Sequence, residues 1–130
     1  MLRTGHHSYA VAEQCAKKYG WGVEFFLGLY HDALEEKLFT ISEIREDFIK
    51  ETEVFPNVVS RVDELMEALT AITRKSSETY FEYISRCKKN DLARRVKIVD
   101  LMENRFNRGE CPGDLSKRYD KALKMLSEDE

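Results

Sequence analysis

Proline occurs at only two positions, Pro56 and Pro112, and glycine at only six of 130. So little turn punctuation excludes a chain of many short strands, which needs such residues at close intervals. The three cysteines, Cys15, Cys87 and Cys111, stand far apart and form no Cys-x-x-Cys pair. An odd, scattered set argues against a disulfide framework and against a thiolate zinc site. Free thiols in an intracellular, cytoplasmic chain are expected, with Cys15 and Cys87 packed in helices. No apolar run reaches the roughly 20 residues of a membrane-spanning helix, and no signal peptide is read ahead of the first helix. No membrane partner is therefore expected. The net charge is −3, so no global basic field draws the chain to DNA or RNA. An anionic ligand has to be met by a local patch.

What is present is helical. Apolar residues make up 42% of the chain and charged residues 35%, which suits one charge-rich globular domain over residues 1–130 with a core of its own. Apolar spacings of three and four predict an all-α, bundle-like domain of about seven helices. The first spans 7–19 and stops at Gly20. The second spans 23–36. The third starts near Thr40, where Thr40-x-x-Glu43 fits a capping box. Pro56 suits the first turn of the fourth, whose stripe is Val58, Val59, Val62, Leu65, Met66 and Leu69. Ser76 or Ser77 caps the fifth, which carries Tyr80, Tyr83 and Cys87. Asn90 and Asp91 separate it from the sixth, 92–105. A loop over 107–113 leads to the last helix, 115–126, and the acidic tail 127–130 is expected to fray.

Residues 21–30 hold a single charge, Glu24. His31 and Asp32 follow, then Glu35 and Glu36 one turn on. Buried ionisable groups are costly unless they are paired, hydrogen-bonded or bound to a metal. A His-Asp dipeptide alone is common, and Glu35 and Glu36 can be a solvated helix end. Yet carboxylates disfavour the negative end of a helix dipole, which hints at a role for them. In the sixth helix Asp100 is a lone acid among Val96, Val99 and Leu101. It is either a structural acid held by Arg94, Arg95 or Lys97, or a ligand. Lys97, Asp100 and Asn104 share one helical row. Imidazoles and carboxylates without thiolate suit manganese, iron or zinc, ions that activate water and stabilise charge on phosphoryl oxygen.

The order His7, His31-Asp32, Asp100 resembles the His…His-Asp…Asp signature of HD-domain metal-dependent phosphohydrolases. The nearer likeness is to the branch of guanosine tetraphosphate (alarmone) hydrolases and their small stand-alone relatives. His7-Ser-Tyr-Ala-Val-Ala-Glu13 is similar to that branch's His-Pro-Leu-x-Val-Ala-Glu, and Leu29-Tyr-His-Asp-Ala-Leu-Glu-Glu36 to its Leu-Leu-His-Asp-x-x-Glu-Asp. Ala68-Leu-Thr-Ala-Ile-Thr-Arg74 is similar to Ala-Leu-Thr-x-x-x-Arg. Leu92-Ala-Arg-Arg-Val-Lys-Ile-Val-Asp-Leu-Met-Glu-Asn104 resembles the small relatives' Ala-Arg-x-Val-Lys-x-x-Asp-Leu-x-x-Asn. The resemblance implies metal ligands His7, His31, Asp32 and Asp100, with Glu35 and Glu36 as the acidic pair that manages water and protons. It also implies Asn104 lining the site. The ion implied is manganese, with iron, zinc or nickel as alternatives, and the substrate a phosphorylated small molecule such as a nucleotide.

Glu36 stands where the family has Asp, and Ser8 where it has Pro. Only residues 1–6 precede His7, where the family carries a helix and a basic loop. That difference motivates a second expectation, a shortened binding module that keeps metal or nucleotide without efficient catalysis. Arg74, Lys75, Arg86, Arg94, Arg95 and Lys97 supply local cations. Of these, Lys97, Arg74 and Arg94 are taken as phosphate-binding candidates, with Lys97 foremost because it shares the Asp100 row. Tyr80 and Tyr83 are expected to pack in the core rather than stack on a base. Self-association into a homo-oligomer is compatible with all of this.

Overall fold

The computed structural model describes residues 5–51 and 61–128. The expectations for Pro56, Val58 and Val59 at the head of the fourth helix, and for the end of the acidic tail, lie outside the described residues. Seven α-helices form among the described residues, with no strand: α1 (His6–Tyr19), α2 (Val23–Tyr30), α3 (Ile41–Glu51), α4 (Val62–Ile72), α5 (Tyr80–Lys88), α6 (Asp91–Met102) and α7 (Gly113–Ser127). A π-helical turn, Glu103–Asn107, extends α6. The all-α architecture expected from the spacing is the one observed. Among the described residues no helix is long and apolar enough to cross a membrane.

Local chemistry sets most of the boundaries. Gly20 ends α1 in a positive-φ conformation (φ 86°) that costs glycine little, and its N–H returns to the Ala16 carbonyl. Thr40 and Glu43 exchange side-chain hydrogen bonds with each other's backbone N–H, the reciprocal cap expected of that spacing. Asn90 accepts from the Ala93 N–H and starts α6. The cap of α5 differs from expectation. It is Thr79, whose hydroxyl accepts from the Glu82 N–H while Glu82 reaches back to the Thr79 N–H. Ser76 and Ser77 lie upstream in the connecting turn.

The second helix also departs from the expected span. Regular α-helix stops at Tyr30, and looser turns carry the chain on to Lys37. There the Leu38 N–H bonds to the Ala33 carbonyl and the Lys37 N–H to that of Leu34. With Lys37 at φ 56° this is a Schellman closure built without glycine.

Two apolar clusters share one helix. The larger joins α1, α2, α3, α4 and the inner face of α6, around Phe26, Tyr30, Phe48, Leu65 and Val96. The smaller joins α5, α6 and α7 through Tyr83, Ile84, Cys87, Leu101, Ala122 and Leu126. The helix common to both is α6, so its residues are buried on nearly all sides. Cys15 and Cys87 are buried free thiols, as expected, and burial pushes them up to about 12 and about 11.

Gly28 of α2 sits against the backbone of α1. A Cβ there would lie 3.1 Å from the Ala12 Cα and 3.2 Å from its N, both backbone atoms that cannot swing aside. Gly28→Ala should therefore push the two helices apart and cost roughly 1–3 kcal/mol, the usual range for overpacking. Urea denaturation measures it. A gain in stability, as expected when only chain freedom is lost, would show that the two helices have room.

Candidate metal centre

Three helix ends converge. His7 comes from the first turn of α1, His31 and Asp32 from the chain just beyond α2, and Asp100 from the last turn of α6. The contact of His7 with Asp100 spans 93 residues of sequence, with Nε2 and Oδ1 at 2.6 Å. His31 Nε2 lies 3.1 Å from the same Asp100 oxygen and 3.2 Å from Asp32 Oδ2. His7 Nε2 is 3.9 Å from Asp32 Oδ2.

The tautomer of His31 follows from its other side. Its Nδ1 lies 2.6 Å from the Gly28 carbonyl, which can only accept, so Nδ1 carries the proton. A neutral His31 then turns the Nε2 lone pair toward two carboxylate oxygens, an arrangement that repels unless a positive charge intervenes. A second proton supplies one. Burial alone pulls the imidazole down, but Asp100 and Asp32 outweigh it and hold it up to about 10. A metal ion supplies the other, since an imidazole fixed through Nδ1–H to a carbonyl is a common ligand posture. Nitrogen and oxygen atoms of His7, His31 and Asp32 lie within 4.8 Å of one another. The triad is thus a possible metal-binding site whose donor set fits a divalent ion.

Asp100 is deeply buried and fully engaged. Besides the histidines it accepts from Lys97 Nζ at 2.8 Å on Oδ2 and from Asn104 Nδ2 at 3.4 Å on Oδ1. Burial by itself would raise its carboxyl, but Lys97 and His31 hold it well below the usual carboxylate range. Of the three cations weighed as its partner, Lys97 is the one on it. Burial opposes the charge on Lys97, yet Asp100 keeps that ammonium well above its ordinary value. Asp32 is more open. Burial pushes its carboxyl up, but the hydrogen bond and charge of His31 leave it lowered.

His7, Asp32 and Asp100 border a cavity of about 220 Å³, and Glu35, Arg74, Lys97 and Asn104 border the same cavity. Glu35 accepts from the Arg74 backbone N–H, tying the turn after α2 to the end of α4. Glu36 does not border the cavity and is exposed. The Glu36 N–H bonds to the Asp32 carbonyl one helical turn back, yet its side chain is exposed.

Arg94 does not reach the cavity either. Its Nε donates to the Leu126 carbonyl at 2.6 Å, at the negative end of α7, where a cation is favoured. Arg86 likewise serves the end of α4, donating to the carbonyls of Thr70, Ala71 and Thr73 and to the Glu78 carboxylate. Arg95 pairs with Glu24. Tyr83 is buried in the core, as expected, and donates to the Ile72 carbonyl. Tyr80 is only partly buried and borders the cavity.

Three cavity residues escaped the sequence reading: Arg108, Arg118 and Tyr119. Arg108 had a signal. It stands four beyond Asn104, and its guanidinium donates to the Asn104 side-chain Oδ1 at 2.9 Å. The row Lys97, Asp100, Asn104 simply continues. Arg118 and Tyr119 had none, because they arrive from α7 across a loop. A comparison with family models, curated proteins and solved structures finds no match for this chain.

Proposed function

We propose that this chain is a metal-dependent phosphohydrolase that cleaves a phosphoester or pyrophosphate of a nucleotide, guanosine tetraphosphate or a related compound, in the cytoplasm. The observation that carries the reading is the meeting of His7 from α1, His31 and Asp32 from the turns after α2, and Asp100 from α6, beside a cavity bordered by cations. These are the residues singled out by the likeness to the HD-domain signature. Manganese is the favoured ion, with iron, zinc and nickel as alternatives. Such an ion, when bound, activates water and draws charge from a phosphoryl oxygen. His7, His31, Asp32 and Asp100 would hold it, with Lys97 paired to the Asp100 carboxylate. Glu35 at the rim takes the proton of the attacking water and returns it to the leaving oxygen. Lys97, Asn104 and Arg74 face the phosphates, with Glu36 and Arg94 outside this arrangement.

The test is metal quantification on the purified protein, coupled to a hydrolysis screen with manganese present. Guanosine tetraphosphate, nucleoside mono- and diphosphates and dinucleoside polyphosphates are the substrates. Stoichiometric metal with turnover of at least one is expected. Tight nucleotide binding with no product identifies a binding module instead, and neither metal nor binding leaves a plain helical bundle.

A further inference from the structure

The last carbonyls of a helix have no partner within it and must find one elsewhere. At the end of α4 every one of them meets a side chain. Thr73 Oγ1 donates to the Leu69 carbonyl, Arg86 Nη1 to those of Thr70 and Ala71, and the Tyr83 hydroxyl to that of Ile72. Arg86 Nη2 adds the Thr73 carbonyl at 2.8 Å, where the chain leaves the helix in an extended conformation.

Arg86 reaches past the helix end. Its Nε and Nη2 grip both oxygens of the Glu78 carboxylate, each at 2.8 Å. Its five hydrogen bonds match its five N–H groups, so none is left for a ligand. Nor does Arg86 border the cavity. Glu78 carries the constraint onward. Its Oε1 also accepts from the Lys75 N–H at 2.9 Å, and its carbonyl accepts from the Arg74 guanidinium at 3.2 Å. One guanidinium thus holds the turn 73–78 at both ends, and Arg74 stands inside that turn. Arg74 borders the cavity, and its backbone N–H donates to Glu35. Both side chains are exposed and can swing, while the backbone N–H between them is held from behind.

We infer that Arg86 is a positioning residue for the cavity rim: by holding the turn 73–78 it fixes where the Arg74 N–H meets the Glu35 carboxylate. The inference rests on the proposed function only for what Arg74 and Glu35 do to a ligand. Lysine cannot replace Arg86 here. It keeps the charge, but its donors sit on one nitrogen and cannot span the carbonyls of a helix end and both oxygens of a carboxylate. A residue that only stabilised α4 and α5 would leave the Glu35–Arg74 contact unchanged in any variant that stays folded.

The test follows the backbone N–H resonance of Arg74 in the full 15N-labelled chain, kept in a metal chelator. Glu35→Ala removes the acceptor and should move that resonance upfield. Arg86→Lys should move it the same way, and Glu35→Ala added to Arg86→Lys should move it no further. The Leu38 N–H, bonded to the Ala33 carbonyl, should stay in place in Arg86→Lys and report that the turns after α2 are intact. With a substrate turned over in the screen above, Glu35→Ala and Arg86→Lys should each lower kcat/KM about tenfold or more. The double variant should fall less than about twofold below the weaker single one, as expected of residues acting as a unit. Should Arg86→Lys fail to fold, Glu78→Gln removes the charge that Arg86 grips and should shift the Arg74 resonance in the same direction. An Arg74 resonance unmoved by Glu35→Ala or by Arg86→Lys, or additive losses in kcat/KM, overturns the inference and leaves Arg86 a cap of α4. The two readings fail separately. An Arg74 resonance that answers to Arg86 in a protein that hydrolyses nothing retires the hydrolase and keeps the positioning role.

Discussion

Asp100→Ala will destabilise the protein by about 3–5 kcal/mol, the range seen when one partner of a buried ion pair is removed. The acid accepts from Lys97, and it faces both imidazoles while being only 2% exposed. Without it Lys97 remains as a buried ammonium with its counter-charge gone. Urea denaturation of the metal-free protein reads the loss directly. Exchanging both partners for apolar side chains, Lys97→Met with Asp100→Leu, should recover most of it, because the penalty comes from the unpaired charge rather than from a missing attraction. A single-variant loss under about 1 kcal/mol would show that water reaches Lys97 and that Asp100 does not anchor the fold.

Asp32→Ala should behave in the opposite way, losing metal while keeping the fold. Its side chain is 27% exposed, and among the described residues its ion-pair partners are the two histidines. Little stability depends on it, yet it completes the triad. Full metal retention by the variant would remove Asp32 from the site.

The pH dependence in the wild-type protein is set by His31. Its imidazole is held up to about 10, against an ordinary 6.5. In the metal-free protein the stability it contributes is complete below about 6.5 and is lost as pH rises through about 10. Ion binding has the opposite sign, because the ion must displace that proton. Between pH 6 and 8 the apparent affinity should rise about tenfold per unit, roughly 1.4 kcal/mol. The stabilisation by manganese at fixed concentration grows accordingly. Chelator competition at several pH values measures this, and a flat profile would mean that the ion does not meet His31.

The sequence reveals helix content and caps better than it reveals side-chain destinations. Gly20, Thr40 and Asn90 act within three or four residues, so their roles are readable locally. The cap of α5 was readable too. Thr79 has Glu82 three residues on, whereas Ser76 and Ser77 have no such acid, and the paired spacing outranks a lone serine. Arg94 is the contrary case. It stands three before Lys97 and by periodicity belongs to the same row, yet the carbonyl end of α7, 32 residues away, claims its guanidinium. No local pattern encodes that competition. Glu36 lies exposed and off the cavity although its N–H reaches the Asp32 carbonyl four residues back, so helical spacing alone does not decide which acid borders the cavity. The four residues of the His–Asp cluster could be proposed from their order, but only the packing of α1 and α2 on α6 explains why His7 and Asp100 touch.

The position of α6 between the two apolar clusters has a consequence for how the cavity can move. Asp100 and Lys97 cannot be uncovered by a small fluctuation, because withdrawing α6 parts both clusters at once and approaches global unfolding. Glu35, Arg74 and Arg108 are exposed and held by a few polar contacts, so they can open at little cost. The buried floor of the cavity is thus tied to the stability of the whole domain, and its exposed rim can open to admit and release what binds there.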